Sequence, residues 1–98
     1  MLIDFHTHAF PDALAPRAMS SLGERVDFTP TSDGTVSGLI KSMDEDGVDI
    51  SVVCNIATNP RQNVKVNSFA VETLKTHGDR LVPLGSIHPD YPAPAEEI

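Results

Sequence analysis

A chain of 98 residues with 40% hydrophobic and 21% charged residues can bury one modest core, which excludes default disorder, but it is too short to close a large catalytic barrel. Its formal charge of −7, with seven scattered Lys and Arg, disfavours a nucleic-acid backbone as partner. One cysteine, Cys54, excludes a disulfide framework and points to a reducing, cytoplasmic setting, while the lack of a basic-then-apolar leader or a long apolar run predicts neither export nor membrane insertion.

Met1 to Phe5 reads as a short apolar strand that delivers His6 and His8 at its C-terminal end. Pro11 and Asp12 mark the entry to a helix from about Asp12 to Leu22, stopped near Gly23. Val26 to Asp33 is a polar connection. Asp33 or Thr35 then caps a second helix, in which Val36, Leu39, Ile40 and Met43 recur at i, i+3, i+4 and i+7 as one apolar stripe, and Gly47 ends it. Asp49 to Cys54 is β-branched and apolar enough for a buried strand, broken by Asn59-Pro60. A third helix is expected from about Asn63 to Thr76, with Val66, Phe69, Ala70 and Leu74 inward, Thr73 as a further candidate for that face, and His77-Gly78-Asp79 closing it. Leu81 to Ile87 forms a third strand, where Pro83 is tolerated only at a strand start, a bulge or another place that needs no ladder donor. Pro92 to Ile98 resembles the first turn of a further helix, with acids where the helix dipole favours them, so the ending reads as a cut.

Strand, helix, strand, helix, strand is the rhythm of a parallel sheet with right-handed crossovers, and the continuous apolar runs predict strands covered on both faces. The expected fold class is α/β, either a doubly wound sheet or the opening of an eight-stranded βα barrel. Both architectures collect ligands at the strand C-terminal ends. Those ends carry His6 and His8, then Cys54 and Asn55, then Ser86 and His88. With strands adjacent in the order one, two, three, His6, Asn55 and His88 fall on one rim.

Alternate residues of a strand share a face, so His6 and His8 can offer two adjacent positions to one divalent metal, with zinc the first choice. The bland reading makes them solvated loop residues. Asp4 has their parity and can orient a ligand from behind, or it can serve as a polar residue paired with backbone. His88, made extended by Pro89, reads either as an active-site contact or as a loop hydrogen-bonder. His77 suits a helix C-terminus, Cys54 a small buried hydrophobe, and Arg17 and Arg61 solvated faces. A catalytic metal site also needs a third protein ligand, an open position and a group that moves protons, and these residues show no full set.

Three ordered blocks carry a resemblance: Ile3-Asp4-Phe5-His6-Thr7-His8 followed by Phe10-Pro11; Met43-Asp44-Glu45-Asp46-Gly47-Val48-Asp49 leading into Ser-Val-Val; and Gly85-Ser86-Ile87-His88-Pro89. Together they resemble the start of an amidohydrolase-superfamily protein, closest to its amidohydrolase-2 branch of metal-dependent TIM-barrel hydrolases and decarboxylases. The resemblance implies that residues 1–98 are the N-terminal portion of a single barrel domain, a parallel βαβαβ segment cut near the start of the third barrel helix. It further implies that His6 and His8 bind the metal, while the catalytic residues and remaining ligands lie beyond residue 98. The implied chemistry is hydrolysis of C–N or C–O bonds in a small-molecule substrate by a metal-activated water, or decarboxylation. A homo-oligomer stays open as a further partner state. The 98-residue chain alone is then expected to be inactive. A TatD-like deoxyribonuclease or a PHP-type phosphoesterase opens similarly, though a phosphodiester substrate favours a cationic groove. A non-catalytic α/β module is the third reading.

Overall fold

The computed structural model describes residues 1–26 and 32–98. Among them, strand β1 (Ile3–Thr7), helices α1 (Ala15–Val26) and α2 (Val36–Asp46), strand β2 (Ile50–Cys54), helix α3 (Asn63–His77), strand β3 (Leu81–Leu84) and the short helix α4 (Pro94–Glu97) follow in that order. The three strands form a parallel sheet ordered β1-β2-β3, as right-handed βαβ crossovers between successive strands allow. No helix among the described residues is long and apolar enough to cross a membrane.

Local chemistry accounts for most element ends. Thr35 caps α2 by accepting the Gly38 N–H at 2.9 Å, and Asp33 in turn accepts the Thr35 N–H and hydroxyl at 2.9 and 2.8 Å. At the other end Gly47 takes φ 72°, and the Gly47 and Val48 N–H groups both donate to the Met43 carbonyl. Asn59 accepts the Gln62 N–H ahead of Pro60, starting the 3₁₀ turn Pro60–Gln62 that runs into α3.

Several boundaries differ from expectation. Helix α1 begins at Ala15, three residues later than predicted, because residues 12–14 are spent in a turn closed on the Pro11 carbonyl. It also continues through Gly23 to Val26: a mid-helix glycine costs only about 1 kcal/mol, too little to stop a helix. Most of the predicted polar connection, residues 27–31, lies outside the described residues. Strand β1 reaches Thr7 rather than Phe5, β3 stops at Leu84 rather than Ile87, and α3 extends one residue to His77. Pro83 is accommodated because β3 pairs only with β2 among the described strands, leaving its other side without a ladder to supply.

Paired residues of a parallel ladder share a face, so the register assigns faces directly. Ser51 with Leu81 and Val53 with Pro83 lie on one side. That side is covered: Met43 of α2 joins Val53, Leu81 and Ala9 in the core, flanked by Val36, Leu39, Ile40 and Val48, and α3 runs beside β3 with its Ala70 and Thr73 buried and Leu74 bordering an open cleft that Pro83 also lines. The opposite side carries Ile3, Ile50, Val52 and Val82. It is largely uncovered, with Ile3 39%, Phe5 73%, Val82 45% and Leu84 47% exposed. The expectation of cover on both faces therefore fails for β1 and β3, since both crossover helices pack on the same side. Leu74 likewise is 54% exposed rather than inward, whereas Thr73, the further candidate for that face, is buried with Ala70.

Candidate metal centre

The strand that carries the two histidines is irregular where it matters. Asp4 pairs with Ser51 but Thr7 pairs with Val53, so three steps along β1 answer two along β2, and one residue is bulged. The hydroxyl of buried Thr7 donates to the Val52 carbonyl at 2.8 Å across this irregularity, and the Asp4 carboxylate accepts the His6 N–H at 3.1 Å within it. Because Asp4 and Thr7 both share the covered face, the neighbours of Thr7, His6 and His8, turn to the uncovered one.

The bulge corrects the parity assigned to Asp4. Alternation from Asp4 would place it beneath the histidines, but the extra residue puts it on the opposite face, where it holds the His6 backbone and contacts no ring nitrogen.

The two rings converge. Their Nε2 atoms are 3.2 Å apart, with ring centroids separated by 5.0 Å and planes inclined at 75°. The His8 Nδ1 lies 2.8 Å from the Cys54 carbonyl oxygen, which can only accept, so Nδ1 carries the proton and Nε2 presents a lone pair. Metal-ligating histidines are oriented in this way by the bond their other nitrogen makes. Without an ion, the His6 Nε2–H donates to the His8 Nε2. An ion between them requires only that His6 move its proton to Nδ1, a change of tautomer with no change of charge.

The spacing suits such an ion. Two nitrogens about 2.05 Å from a zinc-like cation and 3.2 Å apart subtend about 100° at it, near the tetrahedral angle. Both histidines are exposed, so the remaining coordination positions open to solvent. Among the described residues no third His, Cys, Asp or Glu joins them in a group able to hold a metal.

The other rim residues bind the loops together. Asn55 donates from Nδ2 to the Leu84 carbonyl at 2.8 Å, tying the end of β2 to the end of β3, and the Ala57 N–H donates to Ser86 Oγ at 3.1 Å. His88 follows β3 on the same rim but is engaged locally: its N–H donates to Asn63 Oδ1 at 2.8 Å, and its Nδ1 accepts the Asp90 N–H at 3.1 Å. That second bond leaves Nε2 as the protonated nitrogen of a neutral ring, a donor rather than a ligand. Cys54 contributes its carbonyl to the site, and its thiol is free and half-buried. Arg17 lies in α1 and Arg61 in the 3₁₀ turn, and both are exposed. His77 occupies the last turn of α3, where its carbonyl accepts the Arg80 N–H.

Sequence reasoning missed Asn63 and Asn67. Asn67 exchanges two bonds with one peptide, Nδ2 to the Ser86 carbonyl at 2.9 Å and the Ser86 N–H to Oδ1 at 2.8 Å, as a neighbouring strand would. Fully buried Asn63 holds the His88 N–H. The available signal was two asparagines at i, i+4 near the start of α3, both on the stripe that faces the sheet.

Comparison of the chain with protein-family models, with curated proteins and with solved structures gives no match.

Proposed function

We propose that His6 and His8 hold one divalent cation, zinc by preference, and that the chain is the metal-bearing opening of an amidohydrolase-like hydrolase. The observation that carries the reading is the convergence of two Nε2 atoms to 3.2 Å while the Cys54 carbonyl fixes the His8 tautomer. The bound ion supplies an activated water at neutral pH and polarises the reacting carbonyl or carboxylate of a small-molecule substrate. The chain's own share is positional. Asp4 and Thr7 stabilise the bulge that turns both imidazoles to the open face, Cys54 orients one of them, and Asn55 with Ser86 keeps the neighbouring loops at the rim.

In this reading the sheet is the first part of a βα barrel. Support comes from strands running in sequence order with α2 and α3 on one face and apolar residues uncovered on the other, the side a barrel turns inward. Further ligands and the proton-transfer group are assigned to polypeptide beyond residue 98, and the 98 residues alone are expected to show no turnover. The net charge of −7 favours a C–N or C–O bond, or a carboxylate to be lost, over a phosphodiester.

Calorimetric titration of Zn²⁺ into the purified chain tests the metal assignment. Replacing either histidine with Ala removes a direct ligand, so binding should weaken by more than the roughly 10- to 100-fold typical of losing an outer-shell partner. Unchanged affinity in the double variant would falsify it.

A further inference from the structure

We propose that His88 is a substrate-binding residue: its Nε2–H donates to an uncharged carbonyl oxygen of the substrate while a second group of the same molecule sits on the ion at His6 and His8. The substrate class is then an acyl compound that carries a second, neutral carbonyl such as an amide or ester. The proposal deepens the function given above and rests on its assignment of the histidine pair as a metal site.

The ring is fixed in advance for such a contact. Fully buried Asn63 accepts the His88 N–H at 2.8 Å, the Tyr91 N–H donates to the His88 carbonyl at 3.0 Å, and the Asp90 N–H donates to Nδ1 at 3.1 Å. The segment leading to it is tied as well: both polar groups of the Ser86 peptide bond Asn67, and the Ser86 hydroxyl accepts the Ala57 N–H. The His88 side chain is only 19% exposed. With Nδ1 accepting, the proton of the neutral ring is on Nε2, and no described residue accepts from that nitrogen. Nor is it sealed, because the buried side-chain atoms left without a partner among the described residues are Ser51 Oγ and Asn63 Nδ2. A spare donor on an already ordered ring loses little freedom when a ligand oxygen arrives.

Its place on the rim sets the size of the ligand. Strand β2 separates β1 from β3, and neighbouring strands lie about 4.8 Å apart, so the ends of the rim that carry His8 and His88 are roughly 10 Å apart. At the end of β2 between them, Asn55 spends its Nδ2 on the Leu84 carbonyl. A short acyl chain with one polar group at each end spans that gap.

Charge selects the kind of oxygen. Asp90 Oδ2 lies 4.0 Å from His88 Nδ1, and the whole chain carries −7. A carboxylate at Nε2 meets a like charge across the ring, with no charge on the neutral imidazole to offset it. An amide or ester carbonyl takes the same N–H without that repulsion.

NMR titration of the Zn²⁺-loaded chain with three five-carbon probes tests this: valerate, glutaramate and glutarate, each offering one carboxylate to the ion and differing only at the far end. Glutaramate should bind roughly 3- to 10-fold tighter than valerate, as one added hydrogen bond allows, and should shift the His88 ring nitrogens; glutarate should gain no such advantage. His88→Ala should erase the preference for glutaramate, and His88→Gln, which restores a side-chain N–H, should recover part of it. Backbone amide spectra that match the parent outside the 85–91 loop exclude misfolding as the cause. Equal binding of valerate and glutaramate to the Zn²⁺-loaded chain, or a preference that survives His88→Ala, overturns the role of His88 and leaves the metal site standing. A preference for glutarate overturns the neutral oxygen. Absence of Zn²⁺ binding overturns the metal site, and the role of His88 with it.

Discussion

Replacing Asn67 with Ala should cost about 2 kcal/mol. The side chain satisfies both polar groups of the Ser86 peptide, at 2.8 and 2.9 Å, and each such bond contributes about 1 kcal/mol net. Asn67 and Ser86 are half-buried, so water can partly replace the lost amide and the larger penalty for sealed, unpartnered groups does not apply. For a chain of this size, about 2 kcal/mol corresponds to a fall in Tm of about 8–16 °C. Asn67→Asp separates hydrogen bonding from packing. It keeps an acceptor for the Ser86 N–H, loses the donor to the Ser86 carbonyl, and sets a carboxylate where the amide now meets Glu97 Oε1 at 3.1 Å. It should therefore be no more stable than the Ala variant, and Glu97→Gln should recover part of the loss. Thermal melts give the magnitude, and amide exchange at Ser86 and His88 locates it. If Asn67→Ala melts within about 2 °C of the parent with Ser86 protection unchanged, the amide does not hold this loop.

Thr7→Val removes the hydroxyl that serves the Val52 carbonyl at nearly constant volume, and urea unfolding should show a loss of about 1–2 kcal/mol. Arg80, with a side chain 28% exposed, donates to the Val48 and Asp49 carbonyls and to Asp44, itself 62% exposed. Arg80→Ala should cost about 2–3 kcal/mol, mostly through the two carbonyls, whereas Asp44→Ala should stay within about 1 kcal/mol; equal losses in urea would refute that division. The bonds from Thr35 hold the Asp33 carboxyl below its usual value of 3.8. A depressed carboxylate stabilises the fold fully above that value and loses its contribution as the pH falls through the lower folded one, so the Tm gap between parent and Asp33→Asn should close in acid. A gap that is constant from pH 6 to about pH 2 would show that the charge plays no part.

Much of this protein is legible without its structure because the signals are local. The i, i+3, i+4 stripe from Val36 to Met43, the Thr35 cap and the Gly47 stop each act within a turn or two of chain, and they define α2 as expected. The β-branched run at Ile50–Cys54 and the crossover rule likewise give the parallel order that brings His6, Asn55 and His88 to one rim. Alternation from His6 to His8 also predicted that the two rings share a face, and their Nε2 atoms meet at 3.2 Å.

Tertiary structure decided what depends on partners distant in sequence. The bulge between Asp4 and Thr7 exists only against the register of β2, and it separates Asp4 from the histidines that its spacing had joined it to. Cys54 matters through its carbonyl, a group every residue possesses, so no residue identity could reveal that it selects the His8 tautomer from 46 positions away. The covered and bare faces of the sheet are also settled by where α2 and α3 land. An apolar run such as Leu81–Leu84 states that burial is favourable, but only packing determines that Leu81 is enclosed while Val82 and Leu84 stand in water.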